Sequence, residues 1–204
     1  MKKIGITGGV GSGKSRILDF MQEHCGAVVC QADILAHRLQ MPGEQCFNEI
    51  LDIFGVQILD REGKIDRKLL GQIAFGDKRK LDILNAIVHP AVNKKIKQLI
   101  QKEEKNGTGL FVLEAALLTN PVYSEMLDEI WYIRVPEEIR TERLKEARGY
   151  SDWKIKSMML SQPTEEEFLA VSKIIIDNEN DFSKTEQQIY DALNIKQEKI
   201  NEIM

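Results

Sequence analysis

A glycine-rich segment near the amino terminus carries the residues with the clearest chemical meaning. It follows a short apolar run at residues 4–6 and fits the pattern of a glycine, four residues, and then Gly-Lys-Ser. Glycines let a loop turn its N–H groups toward an anion, and the N-terminus of the following helix favours negative charge. The lysine supplies positive charge for the β- and γ-phosphates, and the serine hydroxyl can bind Mg²⁺. The segment comprises Gly8, Gly9, Val10, Gly11, Ser12, Gly13, Lys14 and Ser15. It predicts a P-loop, a binding loop for a nucleoside triphosphate.

Two carboxylates stand just beyond other predicted strands. Asp33 follows the apolar run at residues 27–30. Beside a P-loop, such an acid can accept the proton of a hydroxyl that receives a phosphoryl group. Aspartate is also a favoured N-cap, so position alone leaves open whether Asp33 does chemistry or only caps the next helix.

Glu114 directly follows the apolar run at residues 110–113. This is the Walker-B arrangement, in which an acid reaches Mg²⁺. We therefore expect Glu114 to bind metal or substrate, the alternative being a solvated side chain.

Four basic residues cluster after the predicted fourth strand: Arg140, Arg143, Lys145 and Arg148. Transfer of a phosphoryl group spreads negative charge over its oxygens, and enzymes place Arg or Lys there from an element that closes over the site. The nearby glutamates offer most of these side chains ordinary ion-pair partners on a solvated helix. We select Arg143, and after it Arg148, as the residues that meet phosphate.

These residues require a scaffold that gathers the ends of several strands. Short apolar runs alternate with helical patterns, which predicts an α/β fold of the P-loop NTPase type: a parallel five-stranded sheet with flanking helices. The strands are expected at residues 3–7, 27–30, 110–113, 129–135 and 173–177. Helices are expected at residues 14–24, 32–39, 136–146 and 184–193, with the last extending toward residue 204 and Pro136 in a first helical turn.

Two further helical stretches do not belong to this minimal sheet. We expect a single domain over residues 1–204, with a core of about 1–42, 108–139 and 163–204. A helical substrate-binding region is inserted at about 43–107, with helices at 45–54, 67–75 and 78–104, the last interrupted around His89 and Pro90. A lid is expected at about 140–162. Both insertions can pass over the carboxyl edge of the sheet, where such folds bind ligands.

Composition narrows the class of protein. The chain has 204 residues, 43% of them hydrophobic, and a net charge of −4, so no broad basic face is available for nucleic acid. No stretch is long enough to span a membrane. Cys25, Cys30 and Cys46 are odd in number and form no CxxC pair, which argues against a disulfide framework or a zinc site. We expect reduced thiols, at least one of them buried, in a cytoplasmic protein that is a monomer or weak homo-oligomer.

The sequence resembles the dephospho-coenzyme A kinase family over about residues 3–195. The resemblance rests on motifs that occur in the family's order: residues 6–15, Ala32-Asp33, Phe54-Gly55, residues 63–67, His89-Pro90, Arg143, Gln162 and Asp177-Asn178. A P-loop alone is shared by many families. The Ile-Asp-Arg of residues 65–67, the His-Pro pair and the downstream glutamine are more specific.

The resemblance implies transfer of a phosphoryl group from ATP, with Mg²⁺, to the 3′-hydroxyl of the ribose in dephospho-coenzyme A. It also implies a P-loop core with a helical substrate domain and a lid. By position, Asp33 resembles the acid that activates the acceptor. Arg67 and His89 resemble residues of the substrate domain. Arg143 resembles a phosphate contact, and Asn178 resembles part of the adenine pocket.

The chain departs from the family pattern at three places. Gln31 stands where the family usually has the first acid of Asp-Ala-Asp. Glu114 replaces an aspartate, and the proline and final glutamate that usually follow are missing. The second lid arginine usually comes four residues after the first, where this chain has Ala147, with Arg148 one step later. Because one residue turns a helix by about 100°, Arg148 can substitute only if the helix ends or bends there.

Two other functions remain open from the residues alone. One is a different P-loop kinase that acts on a nucleoside, a nucleotide or a sugar-like acid. The other is a nucleotide-dependent switch, but GTP-type switches read guanine with Asn-Lys-x-Asp. The Asn93-Lys94 pair continues as Lys95-Ile96 and lacks that aspartate.

Overall fold

The structure, a computed structural model, describes residues 1–116, 118 and 120–195. Its contacts divide the chain into two compact units. The first combines Met1–Val29 with the chain from Gly107 onward, and the second is Cys30–Asn106.

A five-stranded sheet is the frame of the fold. The strands are β1 (Lys2–Thr7), β2 (Ala27–Gln31), β3 (Leu110–Glu114), β4 (Glu129–Arg134) and β5 (Ile174–Asp177). Their order is β2-β3-β1-β4-β5, and β1 pairs in parallel with β3 and β4, as β4 does with β5. The predicted parallel α/β sheet is therefore confirmed, with each strand within one residue of its expected bounds.

Parallel pairing brings the ends of the strands to one edge. Ile6 of β1 is in register with Glu114 of β3, and Thr7 is in register with Tyr132 of β4. β1 thus lies between strands whose connections run in opposite directions, the place where doubly wound sheets bind ligands.

The described residues contain nine α-helices. They are α1 (Lys14–His24), α2 (Ala32–Leu39), α3 (Gln45–Phe54), α4 (Arg67–Phe75), α5 (Lys78–Lys105), α6 (Glu137–Arg148), α7 (Asp152–Leu160), α8 (Glu165–Val171) and α9 (Phe182–Leu193). None of them is both long and apolar enough to cross a bilayer. Pro136, expected within the first helical turn, is the N-cap of α6, one residue before the helix begins.

The main core lies where α1 and α9 cover one face of the sheet. Its fully buried members include Ile6, Ile17 and Trp131. On α8, Phe168 is buried and stacks on Tyr132 of β4 at a centroid distance of 5.1 Å. The second tryptophan, Trp153 on α7, has 80% of its surface exposed.

The second unit is helical, and one expectation about it is wrong. Helix α5 runs unbroken through Pro90, where an interruption is predicted. Proline removes one backbone hydrogen bond. The buried side chains of Val88, Ala91, Val92 and Ile96 nevertheless form one apolar face across this point, and α5 packs against α2, α3 and α4. Continuous packing outweighs the local defect.

The end of α9 also differs from expectation. The helix stops at Leu193 because Asn194 adopts a left-handed conformation, with φ of 55°. Ile195 then donates a backbone hydrogen bond to the carbonyl of Tyr190, which closes the helix end. The predicted extension of α9 is therefore wrong at residues 194 and 195. The rest of that prediction, over residues 196–204, lies outside the described residues.

The cysteines behave as expected for reduced thiols. Cys30 and Cys46 are buried, Cys25 is half-buried, and all three are free. Burial raises the pKa of Cys25 to about 11. Burial also raises the pKa of Cys30 to about 11, against a smaller opposing effect of Arg38. The pKa of Cys46 is raised by burial and then by Glu49.

We expect these thiols to resist alkylation in the folded protein. At pH 8, a thiol of pKa about 11 is about 200-fold less ionised than an ordinary thiol of pKa about 8.5, and only the thiolate reacts. Mass spectrometry after timed iodoacetamide treatment should show slow labelling without denaturant and rapid labelling in guanidinium. Because the folded state holds these protons longer, the free energy of unfolding should fall as pH rises from about 8.5 to 11. Rapid labelling of native Cys25 or Cys30 would contradict the assignment.

Candidate active site

The P-loop connects β1 to the first turn of α1. Gly13 is the N-cap of α1, with φ of 82° in the left-handed region that favours glycine. A Cβ atom at this position would also lie 2.5 Å from Nδ2 of Asn178. Conformation and space therefore both demand glycine at position 13.

A cavity of about 640 Å³ lies against this loop. It brings together nine predicted site residues. Six belong to the P-loop and the start of α1, and the other three are Glu114 of β3 and Arg143 and Arg148 of α6. The P-loop residues are Val10, Gly11, Ser12, Gly13, Lys14 and Ser15, and the rest of the wall is Leu144, Glu146 and Ala147 of α6. Both charge signs are present, with cations suited to phosphate and a carboxylate suited to a metal ion.

Lys14 is the first residue of α1 and holds the loop closed on itself. Its ammonium group donates hydrogen bonds to the carbonyl oxygens of Gly8, at 2.7 Å, and Gly9, at 3.2 Å. The charge of Lys14 is thereby placed beside the backbone that an anion would approach.

Two arginines reach the cavity from α6. Arg143 donates through Nη2 to the backbone carbonyl of Asn178 at 2.8 Å. Arg148 is the last residue of α6, which ends because Gly149 has a left-handed conformation with φ of 61°. The sequence allows Arg148 to replace the shifted lid arginine only if the helix ends or bends at this point. The helix does end there, so the condition is met.

Arg148 also contacts the segment that follows α6. Tyr150 has a lowered pKa, because Arg148 hydrogen bonds to its hydroxyl and the charge of Lys154 adds to the effect. The ammonium of Lys154 lies 3.5 Å from the centroid of the Tyr150 ring. Cationic side chains therefore gather at the start of α7 as well as at the end of α6.

Asn178, expected in the nucleotide pocket, is 5% exposed and fully engaged with protein groups. Its Nδ2 donates to the carbonyl of Ser12 at 2.8 Å, and its Oδ1 accepts from the hydroxyl of Thr185 at 3.0 Å. The side chain therefore ties the P-loop to β5 and α9. A direct contact with nucleotide stays a prediction.

Two residues next to the P-loop had no assigned role in the sequence. Gln162 accepts a hydrogen bond from the backbone N–H of Val10 at 2.8 Å. Arg140 packs so closely on the loop that a Cβ atom at Gly9 would clash with its guanidinium, and one at Gly11 would lie 2.8 Å from its carbonyl oxygen. No local signal reveals these contacts, although Gln162 is among the motifs that carry the family resemblance.

The remaining predicted site residues belong to the second unit. Asp33 is exposed in the first turn of α2, whose N-cap is Gln31, so the helix-cap interpretation of Asp33 is wrong. Arg67 is the exposed first residue of α4, and the Asp66 carboxylate caps that helix through the N–H groups of Lys68 and Leu69. His89 is exposed in the middle of α5.

Metal binding by protein side chains alone finds no support in the part of the chain described. No group of three or more His, Cys, Asp or Glu side chains gathers there in a way that could hold an ion.

Known proteins match nearly the whole chain. Residues 2–184 match the family described as dephospho-CoA kinase. A dephospho-CoA kinase of Carboxydothermus hydrogenoformans is 36% identical over 190 residues, which cover 93% of this chain and 92% of that protein. The structure of dephospho-CoA kinase from Campylobacter jejuni superposes with a TM-score of 0.69 at 27% identity, covering 100% of both chains.

A more distant structure shares the fold alone. Shikimate kinase from Acinetobacter baumannii has a TM-score of 0.52 at 13% identity, over 97% of this chain and 96% of that one. With a family match across nearly the whole sequence and a relative above 30% identity, the chain belongs to the dephospho-CoA kinase family.

Proposed function

We propose that the protein transfers the γ-phosphoryl group of ATP to the 3′-hydroxyl of the ribose in dephospho-coenzyme A. The observation that carries this proposal is the P-loop cavity, in which Lys14, Arg143 and Arg148 supply positive charge within a chain of the dephospho-CoA kinase family. Membership in a family of P-loop kinases implies the use of ATP. The 3′-hydroxyl as acceptor is the part that experiment must establish.

The P-loop binds the triphosphate in this proposal. Its N–H groups and the positive end of α1 face the phosphates, and the Lys14 ammonium exchanges its bonds to Gly8 and Gly9 for the β- and γ-phosphate oxygens. Asn178 holds Ser12 in place, and its proposed role is to form part of the adenine pocket.

The residues present fit Mg²⁺ as a bound cofactor. Ser15 offers an exposed hydroxyl and Glu114 a half-buried carboxylate at the same cavity, both of them hard oxygen ligands of the kind Mg²⁺ takes alongside phosphate and water. When bound, Mg²⁺ neutralises charge on the phosphates. Ser15 and Glu114 are its proposed protein ligands.

Asp33 is the proposed base. As the 3′-oxygen forms its bond to the γ-phosphorus, the bond to the β–γ bridging oxygen breaks, ADP leaves, and Asp33 accepts the hydroxyl proton. Asp33 is not the N-cap of α2, and its carboxylate is exposed directly after β2, so it is accessible to a substrate hydroxyl. Its place in the first turn of α2 also favours the ionised form that a base needs.

The remaining roles follow the organisation of the chain. Arg143 and Arg148 stabilise the charge that spreads over the transferred group, with residues 140–162 acting as a lid. Arg67 and His89 contact dephospho-coenzyme A from the helical region of residues 43–107. The free, buried thiols support a reducing compartment, and we place the protein in the cytoplasm as a monomer or weak homo-oligomer.

The first test measures what receives the phosphate. ADP release from ATP and Mg²⁺ should depend on dephospho-coenzyme A, and mass spectrometry should show that compound gaining one phosphate. Shikimate, gluconate and adenosine serve as control acceptors for other P-loop kinases. ADP release at the same rate with and without each acceptor would favour a nucleotide-dependent switch. Phosphate transfer to a control acceptor alone would refute the proposed substrate.

Replacing the proposed base should affect turnover much more than ATP binding. We expect Asp33→Asn to lower kcat by about 10²–10⁴-fold, because the variant cannot accept a proton, while the Kd for ATP stays within about threefold. Steady-state kinetics and calorimetry give the two numbers. The matched control is Asp82→Asn, an exposed aspartate of α5. Equal losses of turnover and ATP affinity in Asp33→Asn would rule out the base assignment.

Removing the cation at the end of α6 should slow transfer. We expect Arg148→Ala to lower kcat by about 100-fold, the usual loss when one donor to a developing negative charge is removed. Lys145→Ala is the control on the same helix, because Lys145 pairs with Asp152 at 2.5 Å and does not line the cavity. If both variants lose the same small amount of activity, Arg148 does not replace the family's second lid arginine.

A further inference from the structure

Gln162 makes a contact that joins two parts of the first unit far apart in sequence. It lies in the link between α7 and α8, and its Oε1 accepts a hydrogen bond from the N–H of Val10 at 2.8 Å across 152 positions of sequence. Val10 is a cavity-lining residue of the P-loop. The side chain therefore acts on the phosphate-binding loop from outside the cavity wall.

The link that carries Gln162 is fixed at both ends. The N–H of Gln162 donates to the carbonyl of Met159 at the end of α7. Two residues later, Thr164 and Glu167 form a capping box that starts α8. Helix α8 is itself anchored by Phe168 on the ring of Tyr132. Gln162 thus extends from a segment fastened to the sheet.

The P-loop needs a neutral acceptor at this point. The Val10 N–H donates to Gln162 and so is not free to bind an anion, and an unpaired backbone donor at this partly buried position would be costly. A carboxylate could accept the same bond, but its charge would repel the triphosphate bound by the neighbouring N–H groups. A glutamine oxygen at 2.8 Å pairs the Val10 N–H without adding charge.

We propose that Gln162 is a positioning residue for ATP, holding the Val10 section of the P-loop in the shape that receives the phosphates. It touches neither the reacting atoms nor the acceptor, and acts only through the loop. The proposal rests on the proposed function in one respect, namely that the P-loop binds ATP.

Two substitutions of Gln162 distinguish the loss of the hydrogen-bond acceptor from the addition of a negative charge. Gln162→Met keeps the length of the side chain and removes the acceptor, so the KM and Kd for ATP should rise about tenfold while the KM for dephospho-coenzyme A stays within about twofold. The amide resonance of Val10 in NMR spectra should move upfield as the bond is lost. Gln162→Glu keeps an acceptor, and a charged one, so that resonance should not move upfield. The added charge should weaken ATP binding in a way that salt relieves.

The control is Gln22→Met, which makes the same substitution on the exposed surface of α1. Unchanged ATP affinity and an unchanged Val10 resonance in Gln162→Met would overturn the proposal. So would equal rises in both KM values together with a lower Tm in both Gln162 variants, since that pattern marks a purely structural residue. Failure of the wild-type protein to bind ATP would instead refute the proposed function.

Discussion

The glycines of the phosphate-binding loop cannot fix its shape by themselves. Its glycines are needed because Gly13 adopts a left-handed conformation and neighbouring atoms leave no room for a Cβ, but glycine contributes no side chain to fix the backbone. The restraints therefore come from side chains of other residues, one of them at the end of the loop itself. Lys14 binds the carbonyls of Gly8 and Gly9, Asn178 binds that of Ser12, and Gln162 pairs the N–H of Val10.

These restraints explain why the parts of the first unit must come together around the loop. Asn178 follows β5, Gln162 follows α7, and Arg140 packs on the loop from the first turn of α6. The same helix then delivers Arg143 and Arg148 to the cavity. One element thus both shapes the loop and supplies cations beside it, which couples the position of α6 to the charge around a bound anion.

Local patterns in the sequence were enough for much of this arrangement. The five strands, the P-loop and the helix that carries the arginines follow from short apolar runs, glycine spacing and charge clusters. Glu114 lies at the cavity as its place after an apolar strand predicts. The continuity of α5 through Pro90 could not be predicted, because it depends on packing against three other helices. The contacts of Gln162 and Asn178 could not be predicted from local patterns either, because each joins residues more than 150 positions apart.

The two tryptophans occupy opposite environments, so their fluorescence differs in its access to a quencher in solution. Trp131 is fully buried in the sheet, whereas Trp153 on α7 is 80% exposed. A dissolved quencher such as iodide reaches only the second indole, so the quenchable part of the fluorescence reports on α7 alone. The buried indole provides a constant reference inside the same chain. Any change in the surroundings of α7 can therefore be followed in the unlabelled protein.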